Sequence, residues 1–88
     1  RKQGIRGTLV DALLGTARVE LHRGNFEDAQ PMLDEALAVA TQALDEKRIA
    51  ECLWASGEIQ RGLGEVSEAG GFYRQALERF TKLDVPLG

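Results

Sequence analysis

The residue types that carry out chemistry are sparse in this chain of 88 residues. His22 is the only histidine and Cys52 is the only cysteine. A metal site needs several ligands at suitable spacing and a nucleophile needs a base within reach, and the sequence offers neither pattern. Catalysis by a pair of acidic residues would need a cavity that shifts their pKa values, whereas the acidic residues here fall on predicted solvent-facing sides of helices. The sequence therefore predicts no enzyme activity, no metal and no cofactor.

The histidine, the cysteine and a glycine-rich segment have structural explanations. His22 stands near a predicted helix end, where a charged imidazole is mildly favoured, and we interpret it as a solvated residue. Cys52 lies between Ala50 and Leu53, and we interpret it as a small core residue. Residues 62–64 lack the strand, lysine and hydroxyl residue of a phosphate-binding loop, so they indicate a helix-ending turn.

Composition and charge restrict the partners. The 11 basic residues are scattered among 14 acidic ones, and a net charge of −3 provides no basic face for nucleic acid. Residues 31–44, the longest nearly uncharged stretch, include two acids and are shorter than the roughly 20 apolar residues that span a bilayer. A single cysteine forms no intrachain disulfide, which fits the cytoplasm. We expect no nucleic acid and no membrane among the partners.

The chain repeats itself after 40 residues. Residues 23–29 align with residues 63–69 at this shift. Elsewhere the same shift pairs apolar with apolar and small with small residues: Leu13 with Leu53, Ala17 with Gly57, Val19 with Ile59, Leu33 with Tyr73, Ala36 with Ala76 and Leu37 with Leu77. Self-similarity at such a period is typical of helical repeat architectures.

Each repeat carries two apolar stripes with helical spacing. In the first repeat the stripes are Leu9, Val10, Leu13, Ala17 and Leu21, followed by Phe26, Ala29, Leu33, Ala36, Leu37 and Ala40. We predict helices over residues 5–23, 27–44, 46–62 and 66–83. Gly24 and Gly64 suit the left-handed residue that ends a helix, and Asn25 and Asp45 suit the N-caps of the helices that follow. Short turns of this kind make neighbouring helices antiparallel.

The predicted fold is therefore all-α, with four helices in two tandem antiparallel helical hairpins. We expect a single domain over residues 1–88, because a chain of this length supports only one thin core. Hairpin 1 covers about residues 5–44, hairpin 2 about residues 46–83, and residues 84–88 form a short C-terminal tail. The first residue is Arg1, without an initiator Met or a signal pattern, and we expect the chain to be a piece of a longer protein.

One set of glycine, apolar and alanine positions, present in both repeats, resembles the tetratricopeptide repeat family: Gly24, Phe26, Ala29 and Ala36, then Gly64, Val66, Ala69 and Ala76. The aromatic positions of that family's first helix are lost. Small residues that let a hairpin close are kept, at Ala17 and Gly57. The 40-residue spacing is similar to the long-repeat members found in kinesin light chains and in large bacterial signal-transduction regulators. The resemblance implies a fragment of an α-solenoid that scaffolds other proteins.

The resemblance also implies that the first helix of each hairpin lines a concave groove, where residues beside the core stripe contact a partner. These groove positions are Asp11, Leu14, Arg18 and His22 in the first helix and Glu51, Trp54, Glu58 and Arg61 in the third. We predict that they bind a peptide or helix of a partner protein. The acidic residues among them disfavour the C-terminal carboxylate that the family's best-known peptide clamp grips.

Two groove residues have competing interpretations. Trp54 either offers its indole to a partner, as interface tryptophans do, or packs across the two hairpins and closes the core. Arg18 either contacts a partner or forms an ordinary surface ion pair with Glu51 or Glu58.

The alternative function is self-association, or structural spacing within a larger bacterial-type signalling or regulatory protein. The fourth helix carries Phe72, Tyr73, Leu77 and Phe80, and the sequence predicts no following hairpin that would cover its outer side. The adjacent rings of Phe72 and Tyr73 are expected to leave one of them outside the hairpin. The apolar character continues at Leu83, Val85 and Leu87. We therefore expect a symmetric homodimer through the fourth helix, since one surface then serves as its own complement.

Overall fold

The computed structural model describes residues 2–84, with side chains over residues 5–83. It contains four helices in chain order, α1 (Lys2–His22), α2 (Phe26–Gln42), α3 (Glu46–Gly62) and α4 (Val66–Asp84). The predicted all-α fold of four helices is confirmed. Of the apolar residues predicted in the tail, Val85 and Leu87 lie outside the described residues. No helix in the range 2–84 combines the length and the apolar character needed to cross a membrane.

Three equivalent turns connect the helices. Each contains one residue with a positive φ: Gly24 at 83°, Leu44 at 54° and Gly64 at 86°. At every turn the next residue donates its backbone N–H to a carbonyl five residues earlier, over 2.8–3.0 Å. This hydrogen-bond pattern is the Schellman motif, which satisfies the last carbonyls of a helix. It also explains why α2 ends at Gln42, earlier than predicted, because residue 44 already belongs to the turn.

The two predicted N-caps differ. Asp45 accepts a hydrogen bond from the backbone N–H of Arg48 at 3.2 Å, and its predicted capping role is confirmed. Asn25 occupies the N-cap position of α2, but its side chain accepts no capping hydrogen bond, so the side-chain part of that prediction is wrong. Its amide instead donates to Glu20 Oε1 at 2.8 Å, because the carboxylate at the end of α1 offers a charged acceptor across the turn.

The helices pair as two hairpins joined through α3. Helix α1 packs on α2, and α3 packs on α4. Helix α3 also contacts both α1 and α2, whereas in the described part of the chain α4 packs against α3 alone. Hairpin 2 is further held by Arg79 of α4, which donates to Glu46 of α3 at 2.7 Å. One side of α1 and one side of α4 therefore have no neighbouring helix among residues 2–84.

The core is one cluster of small and aliphatic side chains, which includes Val10, Leu14, Ala17, Leu21, Ala29, Leu33, Ala36, Ala40, Ile49, Cys52, Leu53, Ala55, Ile59 and Ala76. Most of the predicted stripe residues belong to this cluster or pack against it. Leu9 is the exception, because it is exposed, and Leu14 takes its place in the core. The physical reason is that α3 covers the Leu14 side of α1, and no described helix covers the Leu9 side.

Candidate partner-binding cleft

An open cleft of about 390 Å³ is lined by residues of α1, α3 and α4. Its lining consists of Arg18 from α1, Glu51 and Trp54 from α3, and Leu77 and Phe80 from α4. We call this feature the Trp54 cleft. Three of the predicted groove residues and one of the predicted self-association residues are therefore brought together at one place.

Trp54 is held in the cleft by its neighbour on α4. The ring centroids of Trp54 and Tyr73 are 4.6 Å apart, and the ring planes are tilted by 51°. Tyr73 can lie this close to α3 because Gly57 has no side chain: a Cβ there would be 2.8 Å from Tyr73 Cδ1. Trp54 nevertheless keeps 38% of its surface exposed. It therefore packs within hairpin 2 and also presents apolar area to the solvent.

The charged residues of the cleft stand beside this apolar area. Arg18 and Glu51 are both half-buried. The ion pair expected between Arg18 and Glu51 or Glu58 is not formed, and no described carboxylate pairs with Arg18. A cleft with an apolar floor and one charge of each sign is suited to an amphipathic segment that carries both charges.

Asp11, predicted to face a partner, is engaged within the chain. Arg48 of α3 donates from Nε to Asp11 Oδ1 at 2.9 Å and from Nη2 to Asp11 Oδ2 at 2.8 Å, and its Nη1 donates to Asp45 at 2.8 Å. The hydrogen bonds from Arg48 hold the pKa of Asp11 below its usual value. Gly7 makes room for this contact, since a Cβ there would be 3.0 Å from the guanidinium carbon. The residue thus joins the hairpins instead of lining the cleft.

The other four predicted groove residues lie outside the cleft. Leu14 is a correction: it is buried in the core beneath α3 and offers no surface to a partner. Glu58 is half-buried, and His22 and Arg61 are exposed near the C-terminal ends of α1 and α3. The predicted groove residues therefore do not form one continuous surface, because α3 packs over the middle of the set predicted on α1, at Leu14.

The aromatic residues of α4 differ from expectation. Phe72 and Tyr73 are both half-buried, so the expectation that one ring would lie outside the hairpin is wrong. Phe72 packs against the core cluster, and Tyr73 packs over Gly57. Two adjacent residues both reach inward because the missing side chain at Gly57 widens the surface that α3 offers. Phe80 is half-buried at the edge of the Trp54 cleft.

Cys52 is buried in the core, as predicted. Burial raises the pKa of its thiol to about 11, which keeps the sulfur protonated and poorly reactive at neutral pH. Among the residues with described side chains, no cluster of three or more histidine, cysteine or acidic residues could hold a metal ion.

Leu77 was not among the predicted groove residues, although it belongs to the apolar residues of the fourth helix that were expected to lack a covering hairpin. The repeat pairs it with Leu37, which packs against the core. Leu77 is instead 55% exposed. The available signal was the order of the helices, since α3 follows hairpin 1 and covers it, whereas no described helix follows α4. A larger depression of about 610 Å³ lies further along α4, but side chains of that one helix form its whole lining.

Comparison with known families identifies the repeat. The sequence profile described as "Tetratricopeptide repeat" matches residues 9–82, which include all four helices except the first turns of α1 and the end of α4. Comparisons with curated proteins and with solved structures returned no match.

Proposed function

Because the chain belongs to the tetratricopeptide repeat family, whose repeats generally mediate protein–protein interactions, we propose that it is a non-catalytic scaffold that binds a partner protein in the Trp54 cleft. The bound element is a helix or peptide, and the cleft forms part of the concave face. One observation carries the proposal: Trp54 and Leu77 are both exposed and, with Phe80, line one and the same cleft. Tryptophan in such a position is a favoured anchor of protein interfaces.

The chemistry of the cleft favours an amphipathic helix as the bound element. Leu77 and Phe80 supply apolar area next to the indole, and Arg18 and Glu51 supply one charge of each sign. A helix with an apolar stripe and flanking charges satisfies both features.

A helix from the protein itself provides a defined probe. In hairpin 1, α3 packs over Leu14, the residue that the 40-residue repeat pairs with Trp54. We therefore expect a fluorescein-labelled peptide with the sequence of Glu46–Gly62 to bind the folded chain, with a saturable rise in fluorescence anisotropy. Trp54→Ala and Leu77→Glu should each weaken this binding by about tenfold or more, the loss of one interface anchor worth about 1.4 kcal/mol or more.

The matched control is Leu44→Glu, which makes the same substitution at an exposed leucine in the turn before α3. It should leave the anisotropy titration unchanged. Circular dichroism and urea titration would show whether each variant stays folded. A wild-type chain that leaves the anisotropy of the peptide unchanged up to high micromolar concentration would falsify the proposed use of the cleft.

The second candidate function is self-association. The specific observation that favours it is the uncovered side of α4, which adjoins the Trp54 cleft and which no described helix packs against. A chain that binds copies of itself would serve as a structural spacer. A cytoplasmic location suits either role, because Cys52 is then kept as a free thiol.

A further inference from the structure

The 40-residue repeat allows equivalent positions of the two hairpins to be compared. Leu14 is 3% exposed, whereas its equivalent Trp54 is 38% exposed. Leu33 and Ala40 are buried, whereas Tyr73 and Phe80, their equivalents on α4, are only half-buried. The two hairpins differ in one respect that explains this: α3 packs on hairpin 1, and no described helix packs on hairpin 2 in the same way. We call the surface formed by Trp54, Tyr73, Leu77 and Phe80 the end surface.

The helices α3 and α1, which are equivalent in the repeat, differ in the opposite direction: residues buried on α3 have exposed equivalents on α1. On α3, the residues Ile49, Cys52 and Ile59 are buried. Their equivalents on α1 are Leu9, Ala12 and Val19, and all three are exposed, Val19 by 49%. Residues with this spacing share one side of a helix. We call the surface formed by Leu9, Ala12, Thr16 and Val19 the α1 face.

One chain therefore displays both halves of a contact that it also makes internally. The end surface corresponds to the part of hairpin 1 that α3 covers, and the α1 face corresponds to the part of α3 that does the covering. Polar groups do not obstruct the α1 face, since the Thr16 hydroxyl already donates to the Ala12 carbonyl at 2.9 Å. The position of α3 on hairpin 1 is thus a template for how a second α1 would lie on hairpin 2.

We propose that the end surface of one copy binds the α1 face of a second copy, head to tail. This inference rests on the proposed function, because it names a partner for the surface that contains the Trp54 cleft. The contact joins two different surfaces, so every copy still has one of each to offer, and assembly continues beyond a dimer. It thereby differs from a symmetric pairing of two α4 helices.

The contact between copies is weaker than the one within the chain. Inside the chain, Arg48 forms a bidentate ion pair with Asp11. The equivalent of Asp11 is Glu51, which lines the Trp54 cleft beside the end surface, but the equivalent of Arg48 on α1 is Thr8. A neutral hydroxyl does not reproduce the charge-assisted pair. We therefore expect association at micromolar or higher concentrations of the chain.

Analytical ultracentrifugation of the whole chain tests this assembly. As the concentration rises a hundredfold, the weight-average mass should increase from the 9.6 kDa of one chain to beyond twice that value. Val19→Glu should block the α1 face, and Leu77→Glu should block the end surface, so each variant alone should stay monomeric. An equimolar mixture of the two should form a dimer and stop there, because each variant retains the surface that the other has lost.

Further variants and outcomes separate the possible occupants. Leu9→Glu should act like Val19→Glu, and Leu44→Glu should assemble like the wild type. A Val19→Glu chain that dimerises, with a mixture that gains nothing, would replace the head-to-tail contact with a symmetric α4 dimer. A wild-type chain that stays at 9.6 kDa throughout overturns self-docking, and if this monomer still binds the labelled Glu46–Gly62 peptide, the proposed function survives without it.

Discussion

Leu44 occupies a position in the turn between the hairpins that usually requires a glycine. It lies at the same place in its Schellman turn as Gly24 and Gly64, with a φ of 54°. A residue with a Cβ is strained in the left-handed region by about 1–2 kcal/mol. The side chain is exposed, so its packing offsets little of this strain. The turn between the two hairpins is therefore the most strained of the three.

We expect Leu44→Gly to stabilise the protein by about 0.5–1 kcal/mol, since relief of the strain exceeds the extra entropy of glycine in the unfolded chain. Urea titration at neutral pH measures the change. Gly24→Ala provides the converse control, with an expected loss of about 1 kcal/mol. A lower free energy of unfolding for Leu44→Gly would show that the leucine side chain contributes to packing after all.

At the scale of the element, α4 tolerates side chains where α3 does not. A Cβ added at Gly70 or Gly71 on α4 would meet no atom within 4 Å. A Cβ added at Gly57 on α3 would meet the ring of Tyr73 at 2.8 Å. The same substitution should therefore have opposite effects on the two helices of hairpin 2.

We expect Gly70→Ala to raise the free energy of unfolding by about 1 kcal/mol, through the higher helix propensity of alanine. Gly57→Ala should lower it by about 1–3 kcal/mol, because the extra methyl group pushes Tyr73 out of its place. Thermal melts followed by circular dichroism report both changes, and Trp54 fluorescence reports the displacement of Tyr73. Equal stabilisation by the two variants would contradict the close packing of α3 on α4.

At the scale of the whole molecule, the hairpins are joined by apolar packing of α3 and by the Asp11–Arg48 pair. Arg48 also bonds to Asp45, so the guanidinium ties α1 to the N-terminus of α3. Asp11 is largely exposed, which limits the contribution of the pair through solvent screening. The pair therefore makes only a small contribution to stability.

Acid should weaken this connection. The pKa of Asp11 is lower in the folded than in the unfolded chain, so the pair stabilises the fold above the unfolded value near 4 and is lost as pH falls through the folded pKa. We expect Asp11→Asn to cost less than about 1 kcal/mol at pH 7. Its difference from the wild type should disappear at low pH in urea titrations.

The matched control for that pH series is Glu35→Gln, because Glu35 is exposed and forms no ion pair with any described residue. It should parallel the wild type at every pH. A difference in the free energy of unfolding between Asp11→Asn and the wild type that grows as pH falls would contradict a lowered pKa of Asp11. It would show that the Asp11–Arg48 pair does not stabilise the fold.

Sequence periodicity alone determined the elements of this protein. The 40-residue repeat located four helices and placed glycine at two of the three turns, and Asp45 was identified as an N-cap. Helix positions, turns and N-caps depend on residues that are close together in the chain. The spacing of residue types along the sequence therefore indicates them directly.

Only the tertiary structure decided which sides of those helices are covered. Leu9 and Leu14 both fit an apolar stripe of α1, and the position of α3 selected Leu14 for the core. The same cause left Leu77 exposed while its equivalent Leu37 packs against the core. Arg48 forms its ion pair with Asp11, 37 residues away, whereas the sequence had suggested an ion pair between Arg18 and Glu51 or Glu58. Periodicity shows which residues share a side of a helix, but the burial of that side depends on which other helix packs against it.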